Sequence, residues 1–160
     1  RDRGRDHRAE EKGVREVFGA SLIRSAEGHV LLGRQGPGQL NSGRVYPPSG
    51  LIDGDDLRDG VIDIDASIAR ELGEETGLGP GVLERVPGYI AAISDWQIAV
   101  GVEWHSRLPA EALRQRILDY IEAEADPELD DIVIVRHRAD IDAHSMLPHA
   151  QVLLRTLLPA

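Results

Sequence analysis

Nine residues near the middle of the chain, Arg70-Glu71-Leu72-Gly73-Glu74-Glu75-Thr76-Gly77-Leu78, limit the fold more than any other stretch. Each residue of an α-helix turns the chain by about 100°. Glu71, Glu74 and Glu75, spaced i, i+3 and i+4, therefore fall within roughly 100° of arc. Ile68 and Leu72 form a neighbouring apolar stripe that can dock the helix on a sheet while the acidic face looks outward. Arg70 stands four residues before Glu74, close enough to brace it. Asp63 or Asp65 can cap the start and Gly77 suits the end, which predicts a helix reaching about Thr76. Carboxylates this close repel by about 0.2–0.5 kcal/mol per exposed pair, and by more when half-buried. A divalent cation removes that penalty, and Mg²⁺ favours hard oxygen ligands shared among carboxylates, water and phosphate. Taken alone, Glu-x-x-Glu-Glu also reads as a solvated acidic helix face.

The flanking chain supplies the sheet. Val17 to Ile23 is short, apolar and partly β-branched, so it reads as a strand; Ser25 to Gly28 is a turn, and His29 to Gly33 is its hairpin partner. Gly36 to Gly43 is a loop rich in Gly, Pro, Asn and Ser, followed by an extended Arg44-Val45-Tyr46 and then Pro47-Pro48-Ser49-Gly50. Pro87 to Ser94 is another strand candidate. From Trp96 to His105 the residues alternate, with Trp96, Ile98, Val100, Val102 and Trp104 on one side and Gln97, Ala99, Gly101, Glu103 and His105 on the other. Pro109 opens a helix to about Ala125, Ile132 to Val135 is a buried strand, and Leu147 to Leu158 is a closing helix. Strands with helices between them indicate an α+β or mixed α/β class. Arg1 to Gly13 reads as a charged, flexible arm, and Val14 onward as one domain.

The run from Arg70 to Leu78 resembles the second half of the Nudix box, Arg-Glu-U-x-Glu-Glu-x-Gly-U with U apolar, and all seven specified positions match. Pro48-Ser49-Gly50 stands where that family usually has Pro-Gly-Gly. The resemblance implies a mixed β-sheet sandwiched between α-helices. It implies a pyrophosphohydrolase that uses Mg²⁺ or Mn²⁺ to cleave a diphosphate linkage in a nucleoside diphosphate joined to another moiety, by water attack at phosphorus. Residue by residue, it implies metal ligation by Glu71, Glu74 and Glu75 and by the backbone carbonyl of Ser49, with Arg70 orienting one glutamate. It also suggests a further acid from a strand, for which Glu103 is the candidate. A homodimer is an expectation of the resemblance alone.

The first half of the box departs from the family. Ile62 occupies the position eight before Arg70 where a Glu is expected, and Gly50 precedes Arg70 by twenty residues rather than fourteen. The extra residues fall within Leu51 to Asp63, where a longer loop costs little. Asp63, or another acid of the insertion, could replace the missing Glu. The rival expectation is a Nudix-fold binding or regulatory module whose catalysis lapsed with that residue.

Arg34 and Arg44 flank the loop before the box and are candidates for binding substrate phosphate. His105, His137, His144 and His149 lack metal-ligand spacing, and Gly33 to Gly38 lacks the Lys and Ser/Thr of a phosphate-binding P-loop. Trp96 and Trp104 share a strand face and are read as core. The net charge is −10, which disfavours nucleic acid and anionic membrane surfaces but admits a small phosphorylated substrate held through a cation. No apolar run approaches the ~20 residues needed to span a bilayer. The chain has no cysteine, which excludes thiolate chemistry and disulfides and is compatible with a reducing, cytoplasmic setting.

Overall fold

The apolar run at Val17 becomes the centre of β1 (Glu16–Arg24), which joins β2 (Val30–Gln35) through the Ser25 turn as an antiparallel hairpin. The computed structural model describes residues 13–160, so all of the expected N-terminal arm but Gly13 lies outside the described residues. After β3 (Val45–Tyr46), β4 (Ser49–Leu51) returns antiparallel to β1. The extra residues before the helix form a 3-10 turn at Gly54–Asp56 and a small separate hairpin of β5 (Leu57–Arg58) and β6 (Val61–Ile62).

The acidic helix, α1 (Ile64–Thr76), has the predicted ends. The Asp63 carboxylate accepts the Ala66 N–H at 3.0 Å. Gly77 closes the helix at φ 70°, a left-handed conformation that favours glycine, and donates its N–H to the Gly73 carbonyl at 2.9 Å. Then follow β7 (Leu83–Arg85), β8 (Ile90–Ile93), β9 (Gln97–Ser106), α2 (Ala110–Ala123), β10 (Leu129–Val135) and α3 (Pro148–Leu157).

The main sheet has eight strands, with the path β10-β2-β1-β9-β7; β3, β4 and β8 pair with β2, β1 and β9. Among the strand pairs of the described residues, β1 and β9 alone run parallel, so the sheet is mixed. Alternation along β1 divides the core. Phe18, Ala20 and Leu22 join the cluster containing Leu153 and Leu154 of α3. Gly19 and Ile23 face the other layer, where Leu72 of α1 packs with Leu113 and Ile117 of α2. Ile68 seats directly over Gly19, where a Cβ would overlap its side chain. Ile68 and Leu72 are almost fully buried, each contributing on the order of 1.5–3 kcal/mol.

The alternation expected along Trp96 to His105 is present, but its second side is not a polar face. Ala99 is buried, and Gly101 lies within reach of Leu153 of α3. Small side chains there let α3 approach, so the sheet is covered on both faces.

Candidate metal centre

The helix brings three of the expected acids to one place. Glu71, Glu74 and Glu75 line a cleft of about 190 Å³ with Glu124, Asp126 and Glu128 from the end of α2 and the turn leading into β10. The cleft is therefore walled by carboxylates from two regions of the chain.

β4 forms a further side. Ala20 and Ser49 are opposite each other between the bonds Ser21 N–H to Pro48 O and Ile52 N–H to Val17 O. This makes them a non-hydrogen-bonded pair, so both backbone groups of Ser49 point away from β1. The Ser49 N–H donates to Glu75 Oε2 at 3.1 Å, and its carbonyl looks to the same side. The next residue must be small: a Cβ on Gly50 would overlap the Glu71 side chain.

The carboxylates differ in environment. Burial pushes Glu75 up to about 9, helped by the adjacent Glu128 and then by Glu71. Burial, followed by repulsion from Glu74, also moves Glu71 upward. The Tyr46 hydroxyl is pushed up by its own burial and by Glu75 and Glu128, which holds it protonated beside the cluster. Glu74 is the most open of the three helix carboxylates, at 62% exposure against 24% for Glu71.

Arg70 braces this face. Its guanidinium donates to Glu71 Oε1 at 3.4 Å and to Asp56 Oδ1 at 3.2 Å, and its Nε lies 3.9 Å from Glu74 Oε1. Asp56 comes from the insertion. Its carboxyl is held below the ordinary carboxylate range because it accepts the Asp53 N–H, lies beside the Ser67 hydroxyl and faces Arg70. Asp63, the named substitute for the missing box acid, is instead the helix cap.

The other sequence candidates do not converge on the cleft. Glu103 pairs across the ladder with Leu22, on the sheet face covered by α3 and opposite the face carrying α1. It contacts Arg24 at 3.2 Å and His105 at 2.6 Å. Arg34 is held by Asp130 at 2.7 Å and Asp131 at 3.7 Å, because its strand neighbour β10 carries both acids. Arg44 donates to the Met146 carbonyl at 3.1 Å, in the segment before α3. Trp104 packs against the core and donates its indole N–H to Ser21 Oγ at 3.1 Å. Conversely, linear spacing did not reveal Glu128 or Asp56. Both are fixed by turns whose positions relative to α1 depend on the folded sheet; the acidic Asp126-Pro127-Glu128 sequence was the only visible sign of the first.

The donor set suits a hard divalent cation. It is all oxygen, and it includes a half-buried glutamate crowded by two others, whose ionised form lacks a neutralising partner in the cleft. Among the described residues, no three acidic or histidine side chains already converge into a finished coordination shell.

No protein-family model matches the chain, and no curated protein sequence does. Its architecture is nevertheless that of solved structures. A *C. elegans* Ap4A hydrolase in a binary complex is similar over 87% of this chain and 93% of that one, with a TM-score of 0.61 and 13% identity. RenU, a Nudix hydrolase from *M. smegmatis*, is similar over 89% and 83%, with a TM-score of 0.60 and 16% identity. The Nudix domain of *Shewanella oneidensis* NrtR, complexed with ADP ribose, is similar over 90% and 84%, with a TM-score of 0.54 and 15% identity. The fold is therefore the Nudix fold, a mixed sheet between helical layers. In it, the segment Arg70 to Leu78 occupies α1 and its C-terminal cap.

Proposed function

We propose that the chain is a metal-dependent hydrolase that cleaves a diphosphate linkage in a nucleoside diphosphate joined to another moiety. The observation that carries this reading is the burial of Glu75 against Glu128 within a cleft also lined by Glu71 and Glu74. Such crowding stabilises a folded chain only if a proton or a cation offsets the charge.

Glu71, Glu74, Glu75, Glu128 and the Ser49 carbonyl would hold Mg²⁺ or Mn²⁺. When bound, the ion polarises a phosphoryl oxygen and lowers the pKa of a coordinated water. The chain's own residues do the rest. Arg70 reaches both Glu71 and Glu74 and offsets part of their mutual repulsion. Ser49 N–H fixes one oxygen of Glu75, leaving the other for the cleft. Water attacks phosphorus, the bond to the leaving phosphate oxygen breaks, and a carboxylate of the set takes the water proton. With a cation held there, the acidic residues lining the cleft would no longer repel an anionic substrate.

A nucleotide-derived substrate is supported by two of the similar structures, one an Ap4A hydrolase and one holding ADP ribose. The test incubates the protein with Mg²⁺ or Mn²⁺ and nucleoside triphosphates, dinucleoside polyphosphates, nucleotide sugars and coenzyme A derivatives, beside a Glu74→Gln variant. Turnover of at least one class, reduced about 100-fold or more in the variant, is expected. No turnover of any class would favour a module that binds without hydrolysing, and equal turnover in the variant would remove Glu74 from the site.

A further inference from the structure

Asp56 is the only charged side chain among the buried residues described, with 3% of its surface exposed. A buried carboxylate is expensive unless it is paired and hydrogen-bonded, so its surroundings show what it is for. Its position is set by backbone on three sides. Its Oδ2 accepts the Asp53 N–H at 3.0 Å, its own N–H donates to the Asp53 carbonyl at 3.1 Å, and its carbonyl accepts the N–H of Asp63, the cap of α1, at 3.0 Å. The remaining oxygen, Oδ1, accepts from Arg70 Nη1 at 3.2 Å. The same guanidinium reaches Glu71 at 3.4 Å and Glu74 at 3.9 Å.

We infer that Asp56 is a positioning residue for the metal centre, acting through Arg70, and that the inserted segment exists in part to supply it. This rests on the metal-centre reading of the proposed function. Arg70 has three acidic neighbours and only one charge to share. Held by a buried, backbone-anchored carboxylate that does not line the cleft, the guanidinium steadies Glu71 and Glu74 without neutralising them. Released from Asp56, it turns onto those two carboxylates and competes with the cation for their oxygens. The sequence offers Ile62 where the Nudix box has an acid, and Asp56 restores a carboxylate at Arg70 from a different point in the chain.

The test measures Mn²⁺ binding without substrate, by electron paramagnetic resonance of the free ion, in the unaltered chain, Asp56→Asn, Arg70→Met and the double variant, with circular dichroism melts for each. Asp56→Asn is expected to bind Mn²⁺ about 10-fold more weakly while still folded. In the Arg70→Met background, the same substitution is expected to change nothing further. Unchanged affinity in folded Asp56→Asn overturns the inference. Should Asp56→Asn not fold, the double variant, which removes both partners, is compared with Arg70→Met. Equal affinity there supports action through Arg70, and a further loss overturns it. Absence of saturable Mn²⁺ binding by the unaltered chain overturns the metal-centre reading and this inference with it, whereas binding insensitive to Asp56 overturns this inference alone.

Discussion

The N–H of Ser49 donates to Oε2 of Glu75 at 3.1 Å, joining the end of a strand to the last turn of the acidic helix. Because Ser49 lies in a non-hydrogen-bonded pair with Ala20, this backbone group is free of the sheet and available to the site. The contact sets how deep Glu75 sits, and depth governs its proton.

The first prediction concerns pH. Glu75 in the folded chain is pushed up to about 9 by burial and its acidic neighbours, against an ordinary 4.5. Between those values the folded state holds a proton that the unfolded state has lost, so the Glu75 contribution to stability declines as pH rises from about 4.5 to about 9. Without divalent cations, the melting temperature should fall as pH rises from about 6.5 to about 9; between about 4.5 and 6.5 the opposite trend from the buried His149 imidazole offsets it. Glu75→Gln should flatten the fall, and Mn²⁺ should raise the melting temperature more at pH 8 than at pH 5. Differential scanning calorimetry across the pH series checks all three, and a flat profile in the unaltered chain would refute the assignment.

Gly50→Ala should damage the site more than the fold. The added methyl group overlaps the Glu71 side chain, which can swing away only by leaving the cleft. Overpacking of this kind costs about 1–3 kcal/mol of stability. Mn²⁺ affinity, measured by titration calorimetry, should fall about 10-fold. Normal affinity would mean that the Glu71 position does not matter to the ion.

Two acids should separate cleanly. Glu128→Gln should weaken Mn²⁺ binding, because Glu128 faces Glu75 in the cleft. Glu103→Gln should leave binding unchanged and lower stability by about 1 kcal/mol or less, since it loses only a partly exposed ion pair to Arg24 and a contact with the exposed His105. Paired titrations and melts of the two variants decide the matter; the reverse pattern would return Glu103 to the site.

Acid should act elsewhere, at His149. Its ring packs edge-on to Phe18 at 4.5 Å, its Nε2 is buried without a partner, and burial pushes it down to about 4. The unfolded chain takes up this proton near 6.5, so the His149 contribution should lower stability by roughly 1–3 kcal/mol as pH drops from about 6.5 to about 4, against the opposite trend from Glu75. His149→Leu should remove that component, as chemical denaturation at pH 7 and pH 5 would show.

Local chemistry determined which features were legible in sequence. The acidic helix is readable because Asp63, the 3.6-residue periodicity and Gly77 all lie within fifteen residues of one another. The β1–β2 hairpin follows from two short apolar runs joined by a turn, and β9 from period-two alternation. Glu103 misled because alternation tells which residues share a side and not what covers that side; α3 covers it. Arg34 and Arg44 read as free cations, yet strand pairing and the loop before α3 give them partners from more than ninety residues away. Asp56 and Glu128 became visible only in three dimensions, because turns set where they stand relative to α1. β7 and the β5–β6 hairpin are two or three residues per strand, too short to show a period.

The parallel pairing of β1 with β9 has a temporal consequence. Glu16 meets Gln97 and Arg24 meets His105, so the segment carrying β4, the insertion and α1 is one long excursion closed by that pair. Contacts so distant along the chain are slow to form, because the entropy of closing the excursion is lost before the sheet rewards it. During synthesis, α1 leaves the ribosome well before Ser106 completes β9, with its three glutamates hydrated and at ordinary acidity. The cleft that burdens Glu75 with a proton is thus one of the last features to mature. Under the proposed function, a cation arriving at that late stage would meet a site that the nascent helix alone did not possess.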